Sequence, residues 1–506
     1  MSSYRILACR PRRTSLAICL GLALAWSTVT PVLADTRAPV SRSVSLLPGM
    51  PISIQGERTI KASVVTGANA FEIPQRTQHH SATANGLAHP AGPIVVDNCD
   101  DSGPGSLRDA IAGAASGDTV DLGSLTCSTI TLRTGALVID QNDLALIGPG
   151  AYMLAIDGGV SSGYFDRVFD HTGTGTLNIA YLTITDATYA TYAPDGIGKG
   201  GCIRSMGNVG LLFSIVSSCR IAQGGENQAA GGGLYVAGTL SILASILRDN
   251  TALATDGSGL GGGAVALGSV VTRYATIRDN TATSLGGGLM STNTGAYGSF
   301  IDKTTISGNQ ALAAAGLVLT GETTATIRNS TISGNRADFV VGGVYSTAPL
   351  SVQNSTIAFN SAASATIKQG IVDVGLAMAY DTANLQSSIV ANNYIDFSET
   401  PRDISALGVG AGIVGNSNLV THADTPMPFG TLYADPLLYP LAANGGLTHT
   451  HALRAESPAI DAGNNSAGLV YDQRLLPRVV GANADIGAFE RQGPNDSDVI
   501  FQDGFD

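Results

Sequence analysis

Charge is scarce in this chain of 506 residues. Asp, Glu, Lys and Arg make up 13 % of it, about half of the ~25 % usual in soluble domains. The acids outnumber the bases 39 to 27, for a net charge of −12. A chain so short of cations is poorly suited to bind nucleic acid or an anionic membrane. Aromatics are 6 %, and the single tryptophan is Trp26. The P-loop and H-E-x-x-H are missing, which removes the common signatures of nucleotide-binding loops and zinc peptidases. Glycine triplets such as Gly261–Gly263 lack the Lys-Ser/Thr that a phosphate loop needs. No C-x-x-C occurs, so a zinc site has no ligand pattern to start from. No apolar run approaches the ~20 residues of a membrane span.

The longest such run, Ser15 to Trp26, belongs to a segment that reads as a secretory signal. Arg5, Arg10, Arg12 and Arg13 form its basic start, and Val32-Leu33-Ala34 a small-residue cleavage site. The pair Arg12-Arg13 is followed by Thr14 and Ser15 rather than hydrophobic residues, which favours general secretion over twin-arginine export. Loss of residues 1–34 removes four arginines and no acid, taking the net charge to −16, and removes Trp26, Cys9 and Cys19. Cys99, Cys127, Cys202 and Cys219 remain. An even number in an exported chain implies two disulfides. Of three pairings, closeness in sequence favours Cys99 with Cys127 and Cys202 with Cys219.

What the chain has in abundance is glycine, 63 residues, and repetition. Six segments end alike: Leu247-Arg-Asp-Asn250, Ile277-Arg-Asp-Asn280, Ile306-Ser-Gly-Asn309, Ile332-Ser-Gly-Asn335, Ile357-Ala-Phe-Asn360 and Ile389-Val-Ala-Asn392. Their asparagines are 25 to 32 residues apart. A motif at an elastic period implies stacked coils with loops of varying length. Glycine clusters precede apolar strands at Gly231–Tyr235, Gly261–Val265, Gly286–Met290 and Gly342–Tyr345. Short alternating runs between Gly and Asn are the pattern of strands and turns. The fold expected is therefore all-β, a right-handed parallel β-helix of roughly ten coils between residues 120 and 400, three strands to a coil, rising ~4.8 Å each. Ile277, Ile306, Ile332, Ile357 and Ile389 would stack inside it, and Asn250, Asn280, Asn309, Asn335, Asn360 and Asn392 would form a hydrogen-bonded ladder at a bend. Ser106 to Gly113, with Leu107, Ala110 and Ile111 at helical spacing, would form a short N-terminal capping helix that covers the open end of the stack. The divisions expected are signal 1–34, leader 35–93, cap and first coils 94–160, repeats 161–400, a C-terminal region 401–490 and a tail 491–506.

The Gly-Gly-x-apolar and Ile-x-x-Asn repeats resemble those of bacterial polymorphic outer-membrane proteins and related β-helix proteins. Gly105-Ser-Leu-Arg-Asp-Ala-Ile111 followed by Gly117-Asp-Thr-Val120 is similar to their N-terminal cap segment. Asp435-Pro-Leu-Leu, Asn444-Gly-Gly446, Thr450-His-Ala-Leu453, Ser457-Pro-Ala-Ile-Asp-Ala-Gly463, Asp472-Gln-Arg474 and Asp485-Ile-Gly-Ala-Phe-Glu490 resemble the choice-of-anchor Q domain of exported bacterial proteins. The resemblance implies a secreted or cell-surface protein of a Gram-negative bacterium, and it brings no catalytic residue with it. The tail Val499–Asp506 looks like a short terminal tag of secreted proteins, with neither a membrane span nor a barrel.

Candidates for chemistry are few. Asp249 and Asp279 occupy equivalent places in successive coils, ~4.8 Å apart, and could hold Ca²⁺ as in a polysaccharide lyase, but Arg248 and Arg278 stand beside them as ready counter-charges. His449 and His451 share a strand face and would need a third ligand to hold a metal. Asp435, Asp461 and Asp485 read as turn formers. Tyr235 and Tyr345 could stack on sugars or fill a core. The loop Asp186 to Lys199 is long enough to add to a site. The sequence thus points to a noncatalytic, exported rod that contacts polysaccharide or a host or cell-surface glycan through a long polar face, with no cofactor beyond a structural or catalytic calcium. A polysaccharide lyase or glycoside hydrolase and a structural spacer are the alternatives.

Overall fold

The computed structural model describes residues 92–493, except 191–195, 225–226, 256, 295–296, 364–365, 368–369, 372–373, 380–381, 397, 399 and 407–410. Upstream it also describes the antiparallel pair Val44–Ser45 with Pro51–Ile52. The signal segment, the rest of the leader and the tail beyond 493 lie outside the described residues.

One coil shows how the chain winds. Leu240–Leu243 lies in a first sheet, Ile246–Arg248 in a second, Thr251–Ala254 and Gly259–Leu260 in a third, and Ala264–Ala266 in a fourth, before Val270–Arg273 returns to the first. Each strand pairs in parallel with its counterpart one coil on. Among the described residues the four sheets hold 12, 12, 11 and 10 strands, so the coil has four sides rather than three. The extra side comes from the residues between the asparagine corner and the glycine cluster, which pair as strands instead of looping out. This is a right-handed parallel β-helix of about 10 turns, the hand that parallel crossovers take. Its coils run on through Leu432–Tyr433, past the boundary expected at 400.

Inside runs one column of aliphatic side chains, among them Leu247, Ile277, Ile306, Ile332 and Ile357, all fully buried. Each is worth roughly 1.5–3 kcal/mol. At the start of the stack, Leu107–Gly113 forms a helix whose Leu107, Ala110 and Ile111 are buried in this core, and the Ser106 side chain accepts from Asp109 N to cap it. Disulfides join Cys99 to Cys127 and Cys202 to Cys219.

Two corners repeat on either side of the second sheet, and each opens on a residue of positive φ. Leaving the first sheet these are Tyr181, Phe213, Ala244, Tyr274, Lys303, Asn329, Asn354 and Ser387; leaving the second they are Asp186, Ser218, Asp249, Asp279, Gly308, Gly334, Phe359 and Asn392. The left-handed conformation costs a non-glycine residue about 1–2 kcal/mol, and the next residue supplies the compensation. At the second corner Asn250 donates from N and Nδ2 to Asn280 Oδ1 at 3.1 and 2.9 Å. The same pair of bonds links Asn280 to Asn309, Asn309 to Asn335, and Asn335 to Asn360. Each Nδ2 also reaches a carbonyl of the preceding coil, as in Asn309 Nδ2 to Ile277 O at 3.0 Å.

The last rung corrects the sequence reading. Val390, not Ile389, pairs with Ile357, and Asn393, not Asn392, accepts from Asn360. Asn392 instead takes the positive-φ place and donates to Asp435 Oδ1. Slipping a strand by one residue turns every side chain to the opposite face, and Ile389 accordingly packs outside the coil with Leu438, Leu453 and Phe489. The ladder begins at Cys219, whose N–H donates to Asn250 Oδ1, and ends at Asp403, which accepts from Asn393.

Candidate functional site

The first corner carries a second ladder, made of hydroxyls, that the sequence reading overlooked. Ser214 N donates to Ser245 Oγ, Thr304 N to Ser330 Oγ, Ser330 N to Ser355 Oγ, Ser355 N to Ser388 Oγ and Ser388 N to Asn418 Oδ1. Its signal was available in Asn329-Ser-Thr-Ile332, Asn354-Ser-Thr-Ile357 and Ser387-Ser-Ile389, where a buried hydroxyl follows the turn residue. The second sheet lies between these corners, and its outward side chains fall in register from coil to coil.

The C-terminal region covers one half of that sheet. Residues 435–490 lie over the strands Thr305–Ser307, Thr331–Ser333, Thr356–Ala358 and Ile389–Ala391. Thr305 Oγ1 donates to His449 O, Thr331 Oγ1 to Gln473 Oε1, and Ala488 N to Thr356 Oγ1. Ala358, Ile389, Ala391 and Leu419 bury an apolar patch with Leu438, Leu453, Ile486 and Phe489. A charged knot secures this segment. Arg474 pairs with Asp472 at 2.9 Å and Arg478 with Glu490 at 3.1 Å, all four buried. The Arg474 guanidinium stacks 3.6 Å from the Phe489 ring centre. Burial pushes the Glu490 carboxyl up against the pull of Arg478.

The other half is uncovered. Along Ala155–Asp157, Thr183–Thr185, Ile246–Arg248 and Thr276–Arg278 only the middle residue is buried; Ile215–Ser217 is the one closed strand. Two outward columns form the floor of a trough, Ala155, Thr183, Ile215, Ile246 and Thr276 in one, Asp157, Thr185, Ser217, Arg248 and Arg278 in the other. Along its first-corner flank Tyr181 and Phe213 stack in parallel, centroids 5.6 Å apart, and Tyr274 stands two coils further on. Exposed Tyr152 and Met153 sit beside them, where Thr183 Oγ1 donates to Ala151 O at 2.6 Å. Asp186, Asp249 and Asp279 follow the opposite flank. Burial, with the charge of Asp186, raises the pKa of Asp157 above the ordinary carboxylate value. The C-terminal region closes the far end.

The sequence candidates fall on both sides of this boundary. Asp249 and Asp279 border the trough, each bound to the arginine before it, Arg248 at 2.7 Å and Arg278 at 2.8 Å. The third member of their column is Gly308, where an added Cβ would meet Asp279 Oδ1 at 2.3 Å. His449 is exposed while His451 is buried, its Nε2 2.8 Å from Ser333 Oγ and Nδ1 2.7 Å from Tyr439 O; the two are not presented together to a metal. Burial lowers the pKa of His451 to about 4. Among the described residues no three His, Cys, Asp or Glu side chains gather as a metal-holding group. Asp435 accepts from Leu437 N, as a turn residue does; Asp461, at positive φ, accepts from the distant Asn483 N, and Asp485 is buried and accepts from Asp461 N and Arg491 N. Tyr235 and Tyr345 are 5 % and 7 % exposed and belong to an outer apolar cluster with Val265, Met290 and Val318, so they offer no stacking ridge.

One cluster went unread. Asp302, 1 % exposed, lies between Arg273 (3.3 Å) and Arg328 (3.1 Å), with Lys303 Nζ at 3.5 Å. Arg273, Asp302 and Arg328 are register partners on the first sheet, which their spacing in sequence already contained. These cations hold the Asp302 carboxyl below the ordinary carboxylate value against its burial. The cluster stands at the lip of the trough, where Lys303 Nζ lies 5.9 Å from the Tyr274 ring centre and Thr448 Oγ1 donates to Lys303 O.

No protein-family model and no curated protein matches the chain. Among solved structures, the crystal structure of pectate lyase Pel9A aligns over 79 % of this chain and 96 % of that one, at 14 % identity and a TM-score of 0.41. The likeness is too distant to give any residue here a role. Two disulfides fit a protein that matures outside the reducing cytosol, and among the described residues no helix is long and apolar enough to cross a membrane.

Proposed function

We propose that the protein is an exported, noncatalytic glycan-binding rod whose ligand lies in the open half of the second sheet. The observation that carries this reading is the division of that sheet. Residues 435–490 cover one half through hydroxyl and apolar contacts and leave a trough with a mixed floor, where Thr183, Thr185, Thr276, Arg248 and Arg278 alternate with Ala155, Asp157, Ile215, Ser217 and Ile246, flanked by stacked Tyr181 and Phe213. Hydroxyls and guanidinium groups on this floor suit sugar hydroxyls, and aromatic rings suit the apolar faces of sugar rings. Asp249 and Asp279 serve in this reading as partners of Arg248 and Arg278, not as calcium ligands. The signal-like residues 1–34 and the choice-of-anchor Q-like C-terminal region support a place on the outer surface of a Gram-negative cell, or release from it.

The test is a panel of soluble polysaccharides presented to the full chain, with calcium and with chelator, scored for retention and for new reducing or unsaturated ends. Binding without new ends is the expected result. Calcium-dependent cleavage would replace this reading with that of a lyase acting through Asp249 and Asp279.

A further inference from the structure

The Asp302 cluster has more cations than its carboxylate requires. Three basic side chains meet one carboxylate, leaving a local surplus of two positive charges on a chain whose net charge is −12. The two arginines divide their work unevenly. Arg328 spends Nε and Nη2 on Asp302. Arg273 touches it through Nε alone, with a side chain 41 % exposed. Both terminal nitrogens of Arg273 and Nη1 of Arg328 therefore have no protein partner among the described residues. A guanidinium fork held from behind by a buried carboxylate, with its free edge toward solvent, is arranged to receive a second oxyanion in a bidentate pair. Asp302 fixes its direction, and Lys303 and Arg328 add to the attraction. The Arg328 guanidinium lies 4.8 Å from the Phe300 ring centre, which keeps it in place from the other side.

We propose that Arg273, with Arg328 and Lys303 behind it, is a subsite for an oxyanion substituent, carboxylate or sulfate ester, carried by a glycan lying in the adjoining trough. This rests on the glycan-binding reading and narrows it to acidic chains. The subsite adjoins Tyr274 at the end of the aromatic flank, so a sugar leaving that flank meets the fork next. The protein's overall negative charge then works against acidic chains everywhere except at this lip, making the subsite a determinant of register rather than of general attraction.

The experiment uses the full chain and three matched oligosaccharide sets, neutral, uronate-containing and sulfated, together with inorganic sulfate and free glucuronate as probes, all measured by titration calorimetry. Arg273→Gln is compared with Arg273→Lys and with Arg336→Gln, a surface arginine paired with Asp338 and Asp396 away from the trough. Arg273→Gln should weaken the acidic set tenfold or more, leave the neutral set within twofold, and abolish the sulfate or glucuronate heat. Arg273→Lys should recover only part, and Arg336→Gln should change nothing. The uronate and sulfate arms identify which oxyanion is preferred. Equal loss for neutral and acidic chains, or no loss for either, overturns the subsite while the trough stands. If no oligosaccharide binds at all, the glycan reading fails, and the sulfate and glucuronate titrations alone decide whether the fork takes anions.

Discussion

The two halves of the second sheet are alike within and different without. Inside, the halves share like rungs where they meet: Leu247 and Ile277 under the open half and Ile306, Ile332 and Ile357 under the covered half stack in register, with the asparagine ladder running from Asn250 onward on one side and the hydroxyl ladder, interrupted at Ala275, on the other. Outside, the covered half carries Thr305, Thr331, Thr356, Ala358, Ile389 and Ala391 under the C-terminal region, while the open half carries Thr276, Arg248 and Arg278 toward solvent. The coil geometry therefore does not depend on what lies outside it. From Asn250 onward the ladders tie successive coils together, and the outward columns can be used for docking or for ligand.

The largest effect should come from the covering itself. Phe489→Ala removes a ring that is 2 % exposed and stacked under Arg474, and should cost about 3–5 kcal/mol. Denaturation and limited proteolysis would show the C-terminal region released first, with the coils persisting. Simultaneous loss of both would mean that the two halves are not independent.

Acid should separate the halves next. His451 is buried neutral, with a folded pKa of about 4 against 6.5 unfolded. Its contribution is complete above pH 6.5 and is lost as pH falls toward 4, roughly 3 kcal/mol in all. Glu490, raised to about 7 from 4.5, gains stability as pH falls through the same window, so the His451 loss is read as the difference between the native chain and His451→Gln in melting curves from pH 7 to 4, the variant losing less. An unchanged slope in the variant would assign the acid sensitivity elsewhere.

The shared interior sharpens the comparison. Asn280→Leu lies under the open half and Asn335→Leu under the covered half, and each orphans the N–H and Nδ2 of the preceding rung. Both should cost about 2 kcal/mol. A clear inequality in their melting shifts would show that the outer covering reaches the ladder after all.

The smallest effect on stability belongs to the open floor. Arg278→Ala breaks an exposed pair with Asp279 and should cost under about 1 kcal/mol, while reducing glycan retention. Large destabilisation would indicate that the trough is structural rather than a binding face.

The strand-and-turn pattern made the coils legible because a buried aliphatic, a positive-φ turn residue and a ladder amide must recur in every turn. The reading failed at Asn392 for an equally physical reason. Ile389 is as apolar as an inward residue, but its burial comes from the C-terminal region outside the coil, and Val390 takes the inward place. Apolar character reports burial and says nothing of which neighbour provides it. The same limit hid the fourth side of the coil and left open whether Tyr235 and Tyr345 stack on sugars or fill a core.

By itself the sequence determined the β-helix, its elastic period, the capping helix and the cysteine pairing favoured by proximity, because these depend on neighbours along the chain or one coil away. Only the tertiary structure decided which half of the second sheet is covered. Those contacts join residues more than a hundred positions apart, as Thr305 with His449 and Thr331 with Gln473. No local periodicity records them, because they arise from where the chain returns after the coils are built.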